Sequence, residues 1–305
     1  MVGAGGVGGL FGARLAAAGN EVCFIARGRH GAAMKEHGLR LSSAAGDLVL
    51  AHPRVAADPA AFGPQDVVLI CTKLWDNPQV LPQIAPLVGP ETAIASLQNG
   101  VIAEEQIAEA YGRERTWGAL CQVSAAIESP GVIRQTGSFA RLVAGPVTAG
   151  DDPRVALFVA AAIEAGLEAR ASAHIDVEIW RKFALLSPFA AITCLERSAI
   201  GPLRDRPEVM ARLAGLVGEV CAVGRASGVA LGPESEAETM KVIMGLPADM
   251  KASMLVDLEA GNRLELDWLT GEVVRRGRSL GVPVPWSEQA SDALAPFAAG
   301  SGRAA

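Results

Sequence analysis

No two cysteines of this chain stand two residues apart, and its four histidines (His30, His37, His52 and His174) are isolated from one another. A CxxC redox pair and a structural zinc site are therefore excluded by spacing. Cys23, Cys71, Cys121, Cys194 and Cys221 are scattered, with the first two inside apolar, strand-like runs. They read as buried free thiols of a reducing compartment. A surplus of basic residues is also lacking, since the formal net charge is -6. That argues against a broadly basic nucleic-acid binder, although a local pocket for one phosphate stays open. No run of about 18 uncharged apolar residues is present, so no membrane span is expected. Glycines stand at the N-terminus where a secretory signal would carry a basic and then an apolar segment, and the cytoplasm is the expected compartment. Internal repeats and low-complexity linkers are missing too. What remains is 305 residues, half of them apolar and a fifth charged, enough for two domains of ordinary soluble composition.

The first two-thirds alternates strand-like and helix-like segments. A glycine-rich turn at 3–9 leads into a helix over 10–18, which Gly19-Asn20 stops. The short continuous apolar runs 22–26, 67–71 and 92–97 fit buried parallel strands. Leu39, Leu41, Leu48 and Leu50 alternate as in a β-hairpin across 38–50. Helical stretches at 77–87 and 104–111 separate the strands. Such alternation predicts a doubly wound α/β sheet. From about residue 176 strand-like runs nearly vanish, and 176–196, 207–227, 247–260, 264–280 and 287–298 all read as helices. The expected organisation is an N-terminal Rossmann domain over 1–173 and an all-α domain over 174–305. The Gly/Ala/Ser-rich tail at 298–305 should fray.

Gly3-Ala4-Gly5-Gly6-Val7-Gly8 fits GxGxxG. Gly3 permits the tight turn, Gly5 lets backbone approach a pyrophosphate and Gly8 lets the helix pack on the strand. The N–H groups at the helix start then point at the phosphates. Only Met1-Val2 precedes the first glycine, too short for a buried strand of typical length. Either the numbering starts inside the first strand or that strand is truncated, and truncation would weaken cofactor binding. A reader of a ribose 2′-hydroxyl would be Asp or Glu about 20 residues past the glycines. Arg27-Gly28-Arg29 stands there instead. An arginine fork matches a phosphate, so NADP is the expected cofactor, with Arg27 on the 2′-phosphate.

At this point the chain resembles the ketopantoate reductases (2-dehydropantoate 2-reductases). The resemblance runs from the glycine motif and Arg27 through Cys71-Thr72-Lys73, Gln98-Asn99-Gly100, a hairpin at Pro130-Gly131-Val132 and Trp180-Arg181-Lys182. It continues through Lys251-Ala252-Ser253-Met254 and Leu264-Glu265-Leu266-Asp267 to Gly281-Val282-Pro283. It implies NADPH-dependent reduction of a 2-keto acid to a 2-hydroxy acid. Lys182 would be the general acid, Glu265 its acidic partner, Ser253 the binder of the substrate carboxylate and Asn99 a group beside nicotinamide and substrate. Lys73 would sit at the cofactor edge, at the carboxyl end of a strand where α/β ligands bind. On spacing alone, Glu178 and Lys182 are an ordinary i,i+4 surface pair, and Asn99-Gly100 is an ordinary turn.

The departures concern the substrate. The family places asparagines one and two turns after its catalytic lysine, and here those positions are Leu186 and Ala190. Losing two amides should weaken recognition of ketopantoate's polar groups. A reductase of a more apolar 2-oxo acid is therefore the alternative, and a non-catalytic NADPH-binding redox sensor the remoter one. Retention of Lys182, Ser253 and Glu265 argues against the sensor. A homodimer through the helical domain is compatible with this reading.

Overall fold

The computed structural model describes residues 1–148 and 150–301, the side chain of Ser138 excepted. The end of the expected tail, 302–305, lies outside the described residues. The chain divides into two compact units. One comprises Met1–Gln98 and Ile102–Ile175, and the other comprises Asn99–Val101 and the chain from Asp176 onward.

In the first unit the order is α1 (Gly6–Ala17), β1 (Cys23–Ile25), α2 (Gly28–His37), β2 (Leu39–Ser42), β3 (Leu48–Leu50) and β4 (Arg54–Ala56). Then come β5 (Val67–Ile70), α3 (Asn77–Gln83), β6 (Ala93–Ser96), α4 (Ala103–Tyr111), β7 (Thr116–Ser129), β8 (Val132–Pro146), α5 (Pro153–Glu164) and β9 (Glu168–Ala171). Strands β4 and β1 pair in parallel, as do β5, β6 and β7. Val2 closes the gap by bridging Ile25 and Ile70 in parallel. The resulting order β4-β1-Val2-β5-β6-β7 is that of a dinucleotide-binding sheet, with Met1-Val2 in the place of its first strand. Its buried strands serve two cores at once. Val68, Ile70 and Ile94 face the one beneath α3 and α4, while Leu69, Ala93 and Ala95 face the one beneath α1 and α5. Burial on both faces is why these strands read as unbroken apolar runs.

The expected doubly wound sheet is present and is mixed on its far side. β7 turns at Pro130-Gly131 into antiparallel β8, which pairs in parallel with β2 and β9. The turn is the one the resemblance placed at Pro130-Gly131-Val132, and the length of the hairpin is hidden from pattern because register shifts at Gln122/Ser124 and Ile127/Ser129 break its alternation. The expected hairpin β2–β3 is present, with Leu39 opposite Leu50 and Leu41 opposite Leu48.

The second unit is helical: α6 (Ile175–Glu196, whose first residue belongs to the first unit), α7 (Ile200–Leu203), α8 (Pro207–Ala226), α9 (Ser235–Met244), α10 (Ser253–Ala260), α11 (Thr270–Leu280) and α12 (Pro285–Leu294). Two expected helices are shorter than the pattern implied. Residues 247–252 form an extended turn before α10, and a 3-10 turn at Leu266–Trp268 precedes α11. α9 was not anticipated. The buried Glu219 of α8 accepts from the backbone N–H groups of Trp286 and Ser287, both at 2.7 Å, and so caps α12. Among the described residues no helix is long and apolar enough to cross a membrane.

Candidate functional site

In the first unit, the glycine-rich loop leaves Val2 and enters α1. The backbone N–H of Gly3 donates to the carbonyl of Ile25 at 3.0 Å, and Gly3 has φ +90°. A Cβ there would lie 2.9 Å from Thr72 Cγ2. At Gly8 a Cβ would collide with the Gly3 carbonyl, and at Gly6 with the carbonyl of Ala125 in β7. Gly5 differs, since nothing lies within 4 Å of a Cβ built there. That open cradle sits at the N-cap of α1, whose first turn carries no carboxylate. The unsatisfied N–H groups of a helix start and the positive end of its dipole favour an anion there. The residues present thus fit a dinucleotide pyrophosphate.

Arg27 is exposed and is the N-cap of α2, at the carboxyl end of β1, with Arg29 exposed beside it. No carboxylate occupies that strand end, and the first turn of α2 has none either. This suits a phosphate better than a ribose hydroxyl. Three residues beyond Arg27, His30 reaches back to the loop. Its Nε2 lies 2.9 Å from the Ala4 carbonyl, and its Nδ1 accepts from the Gly131 N–H at 3.1 Å. Burial pushes its pKa below the usual histidine value, partly offset by the Ala4 carbonyl. Sequence reading passed over His30 because both partners are distant in the chain.

At the carboxyl end of β5, Lys73 is half-buried with its Nζ 5.6 Å from the Trp75 ring centre. Cys71 beside it is no nucleophile, because burial pushes its thiol up to about 12. Around the next strand end lies a closed network of amides that sequence reading also missed. Fully buried Asn77 and half-buried Gln98 form a reciprocal pair, at 3.2 and 2.8 Å. Asn77 also donates to Gln106 at 2.7 Å, and Gln98 accepts from Ser96 at 3.0 Å and donates to Thr72 at 3.4 Å. The ends of β5 and β6 and the helices α3 and α4 meet on these two side chains.

In the second unit, Lys182 lies two turns into α6, half-buried. Its Nζ donates to Asn99 Oδ1 at 3.1 Å. Of the expected site residues, this pair is brought into direct contact. The segment carrying Asn99 is also held by Arg276, which donates to the Val101 carbonyl at 3.4 Å and lies 5.7 Å from the Trp180 ring centre. Arg276 is in turn fixed by the buried Glu272 at 2.7 Å. Ser253 is exposed as the first residue of α10, where hydroxyl and helix-start N–H groups suit a carboxylate. Glu265 is buried at the start of the 3-10 turn. Leu186 is half-buried and Ala190 buried along α6.

A cavity of about 520 Å³ in the first unit, lined by Met1, Leu15, Val22, Asp66, Arg154 and Phe158 among others, opens at the amino edge of the strands. Beside it the backbone nitrogen of Met1 donates to the Cys23 carbonyl at 2.7 Å. Ligands of parallel α/β sheets bind at the opposite, carboxyl edge, so this cavity is not the nucleotide site.

Comparison with known proteins identifies the family and its fold. The family model "Ketopantoate reductase PanE/ApbA" matches residues 1–149, and its C-terminal counterpart matches residues 174–297. The chain is 31% identical over 285 residues to an uncharacterized oxidoreductase, YkpB, of Bacillus subtilis (strain 168), covering 93% of each chain. It is 30% identical to a 2-dehydropantoate 2-reductase of Mesorhizobium japonicum, again over 93% of each. Among solved structures, a 2-dehydropantoate 2-reductase from Geobacter metallireducens GS-15 superposes with a TM-score of 0.88 at 28% identity, covering 97% of this chain and 98% of that one.

Proposed function

The chain belongs to the ketopantoate reductase PanE/ApbA family of oxidoreductases, and from that we propose that it reduces a 2-keto acid to the 2-hydroxy acid with NADPH, in the manner of a 2-dehydropantoate 2-reductase of pantothenate biosynthesis. The observation that carries the reading is the Lys182 ammonium held on the Asn99 amide at 3.1 Å. The residues for the cofactor are Gly3 to Gly8 at the pyrophosphate, Arg27 at the 2′-phosphate, and Lys73, Asn99 and Glu265 towards the nicotinamide end. Reduced nicotinamide, when bound, supplies the hydride. The protein's own residues supply the rest.

Ser253 and the N-terminus of α10 hold the substrate carboxylate. Asn99 accepts one Lys182 N–H and leaves the others for the keto oxygen. As negative charge develops on that oxygen, the ammonium stabilises it and transfers a proton to it. The product is a neutral hydroxyl, and Lys182 is reprotonated from solvent. Glu265 is the acidic partner that helps hold the substrate hydroxyl and the lysine. The test is oxidation of NADPH, followed by its absorbance, with ketopantoate and a panel of other 2-keto acids. Turnover of any of them that Lys182→Ala abolishes supports the reading. Full turnover by Lys182→Ala overturns it.

A second reading has one observation in its favour. Leu186 and Ala190 follow Lys182 at one and two turns of α6 and offer no hydrogen bond. An apolar surface at those positions suits a 2-oxo acid with a bulkier apolar substituent. Failure with ketopantoate and turnover of such a substrate would establish it. NADPH binding without turnover of any keto acid would instead indicate a redox sensor. We place the reaction in the cytoplasm, where NADPH is available and thiols stay reduced.

A further inference from the structure

We propose that His30 is a positioning residue of the dinucleotide site, a neutral clamp that holds the pyrophosphate loop in register with the Arg27–Arg29 segment. The inference rests on the cofactor reading above. Its basis is the tautomer that the two hydrogen bonds require. The Gly131 N–H can only donate, so Nδ1 at 3.1 Å must be an unprotonated acceptor. The ring hydrogen therefore sits on Nε2 and is donated to the Ala4 carbonyl at 2.9 Å. An imidazolium would set one N–H against another and lose the Gly131 bond.

The placement of the three partners gives the clamp its role. Ala4 lies between Gly3 and Gly5, in a stretch with few side chains of its own to fix it. Glycine-rich backbone is entropically costly to order, and an external bond to the Ala4 carbonyl limits that freedom. His30 belongs to the first turn of α2, directly after the two arginines. Gly131 is the turn of the β7–β8 hairpin, and its carbonyl accepts from the Arg40 N–H of β2 at 2.9 Å. One ring thus ties the segment suited to the 2′-phosphate to the loop suited to the pyrophosphate, and braces both on the hairpin. The groups hydrogen-bonded to the ring are backbone atoms of Ala4 and Gly131. Arg27 and Arg29 are its nearest ionisable neighbours in sequence, and its lowered pKa comes from burial, offset by the Ala4 carbonyl.

The experiment is titration of the full-length protein with NADPH and with NADH, read by cofactor fluorescence, alongside melting curves of the unliganded protein. His30→Ala should weaken NADPH binding about tenfold and reduce the preference for NADPH over NADH. His30→Gln places an amide nitrogen near the Nε2 position and should keep NADPH affinity within about threefold of wild type. His30→Asn places an oxygen near Nδ1, so it should keep the Gly131 bond and the melting temperature while failing to restore affinity. If His30→Ala binds NADPH as wild type does, the clamp is wrong and the cofactor reading stands. Should the alanine variant not fold, Gln and Asn decide alone: equal affinities, or affinities that follow their melting temperatures, overturn the proposal. If the wild type binds neither nucleotide, the cofactor reading fails and the clamp fails with it.

Discussion

Lys182 and His30 show how much a single side chain's meaning depends on what meets it. Lys182 is four residues from Glu178, which on spacing is an unremarkable surface pair, and only its bond to Asn99 distinguishes it. Replacing it with alanine should lower turnover by about 10²–10⁴-fold, the usual worth of a general acid, with NADPH affinity changed by less than about twofold because no phosphate contact is lost. Steady-state rates and a direct NADPH titration check the two halves separately. For His30 the sign of the pH effect follows from its lowered pKa. The folded protein favours the neutral ring more than the unfolded chain does. Its contribution to stability is therefore complete above the unfolded value of about 6.5 and is lost as pH falls from there through the lower folded value. The melting temperature of the unliganded protein should drop across that window, and His30→Gln should remove that part of the drop. The unliganded protein is the right subject, since a phosphate monoester titrates near pH 6 as well. A melting profile for His30→Gln parallel to wild type would show that other groups govern the acid limb.

At the scale of elements, the packing of α1 against the β7–β8 hairpin explains a glycine that the fingerprint itself does not require. A Cβ on Gly6 would run into the Ala125 carbonyl, which is backbone and cannot swing aside. Gly6→Ala should cost about 1–3 kcal/mol as an overpacking change, read as a lower melting temperature. A variant as stable as wild type would mean that the hairpin yields. The amide network makes a second demand. Asn77→Ala leaves half-buried amides of Gln98 and Gln106 short of a partner and should cost about 1–3 kcal/mol, checked by denaturant unfolding. A loss below about 0.5 kcal/mol would mean that water replaces the amide. The same elements show what was legible beforehand. β5 and β6 were plain because burial on both faces leaves continuous apolar runs, and β2–β3 because its leucines alternate. The turn of the hairpin β7–β8 came only through the family resemblance, since its bulges shift the alternation midway. The segment 247–252 read as helix because its apolar spacing suits one, but a turn from Pro247 to Met250 precedes α10 there. The glycine loop, Arg27 and Lys182 stood out as motifs. His30 bonds partners 26 and 101 residues away, and local patterning carries no trace of such pairings.

For the molecule as a whole, the roles proposed above make phosphate binding and proton transfer separable. The glycine loop, Arg27, His30 and Lys73 all lie in the first unit, while Lys182, Asn99, Ser253 and Glu265 lie in the second. A ligand that binds only the folded protein stabilises it by mass action, about 2.7 kcal/mol at a hundred times its dissociation constant. In a chain of this size that corresponds to a rise in melting temperature of about 4 °C. NADPH should produce such a rise in the wild type and equally in Lys182→Ala, because the lysine is spent on the keto oxygen rather than on the phosphates. Arg27→Ala should lose most of the NADPH rise and little of any rise with NADH, which has no 2′-phosphate for the arginine to meet. Melting curves of the three proteins with each nucleotide test this directly. An NADPH rise untouched in Arg27→Ala would move 2′-phosphate recognition elsewhere, with Arg29 next to be examined. A rise abolished in Lys182→Ala would make that lysine part of the nucleotide site, and its assignment as proton donor would have to rest on the pH dependence of turnover instead.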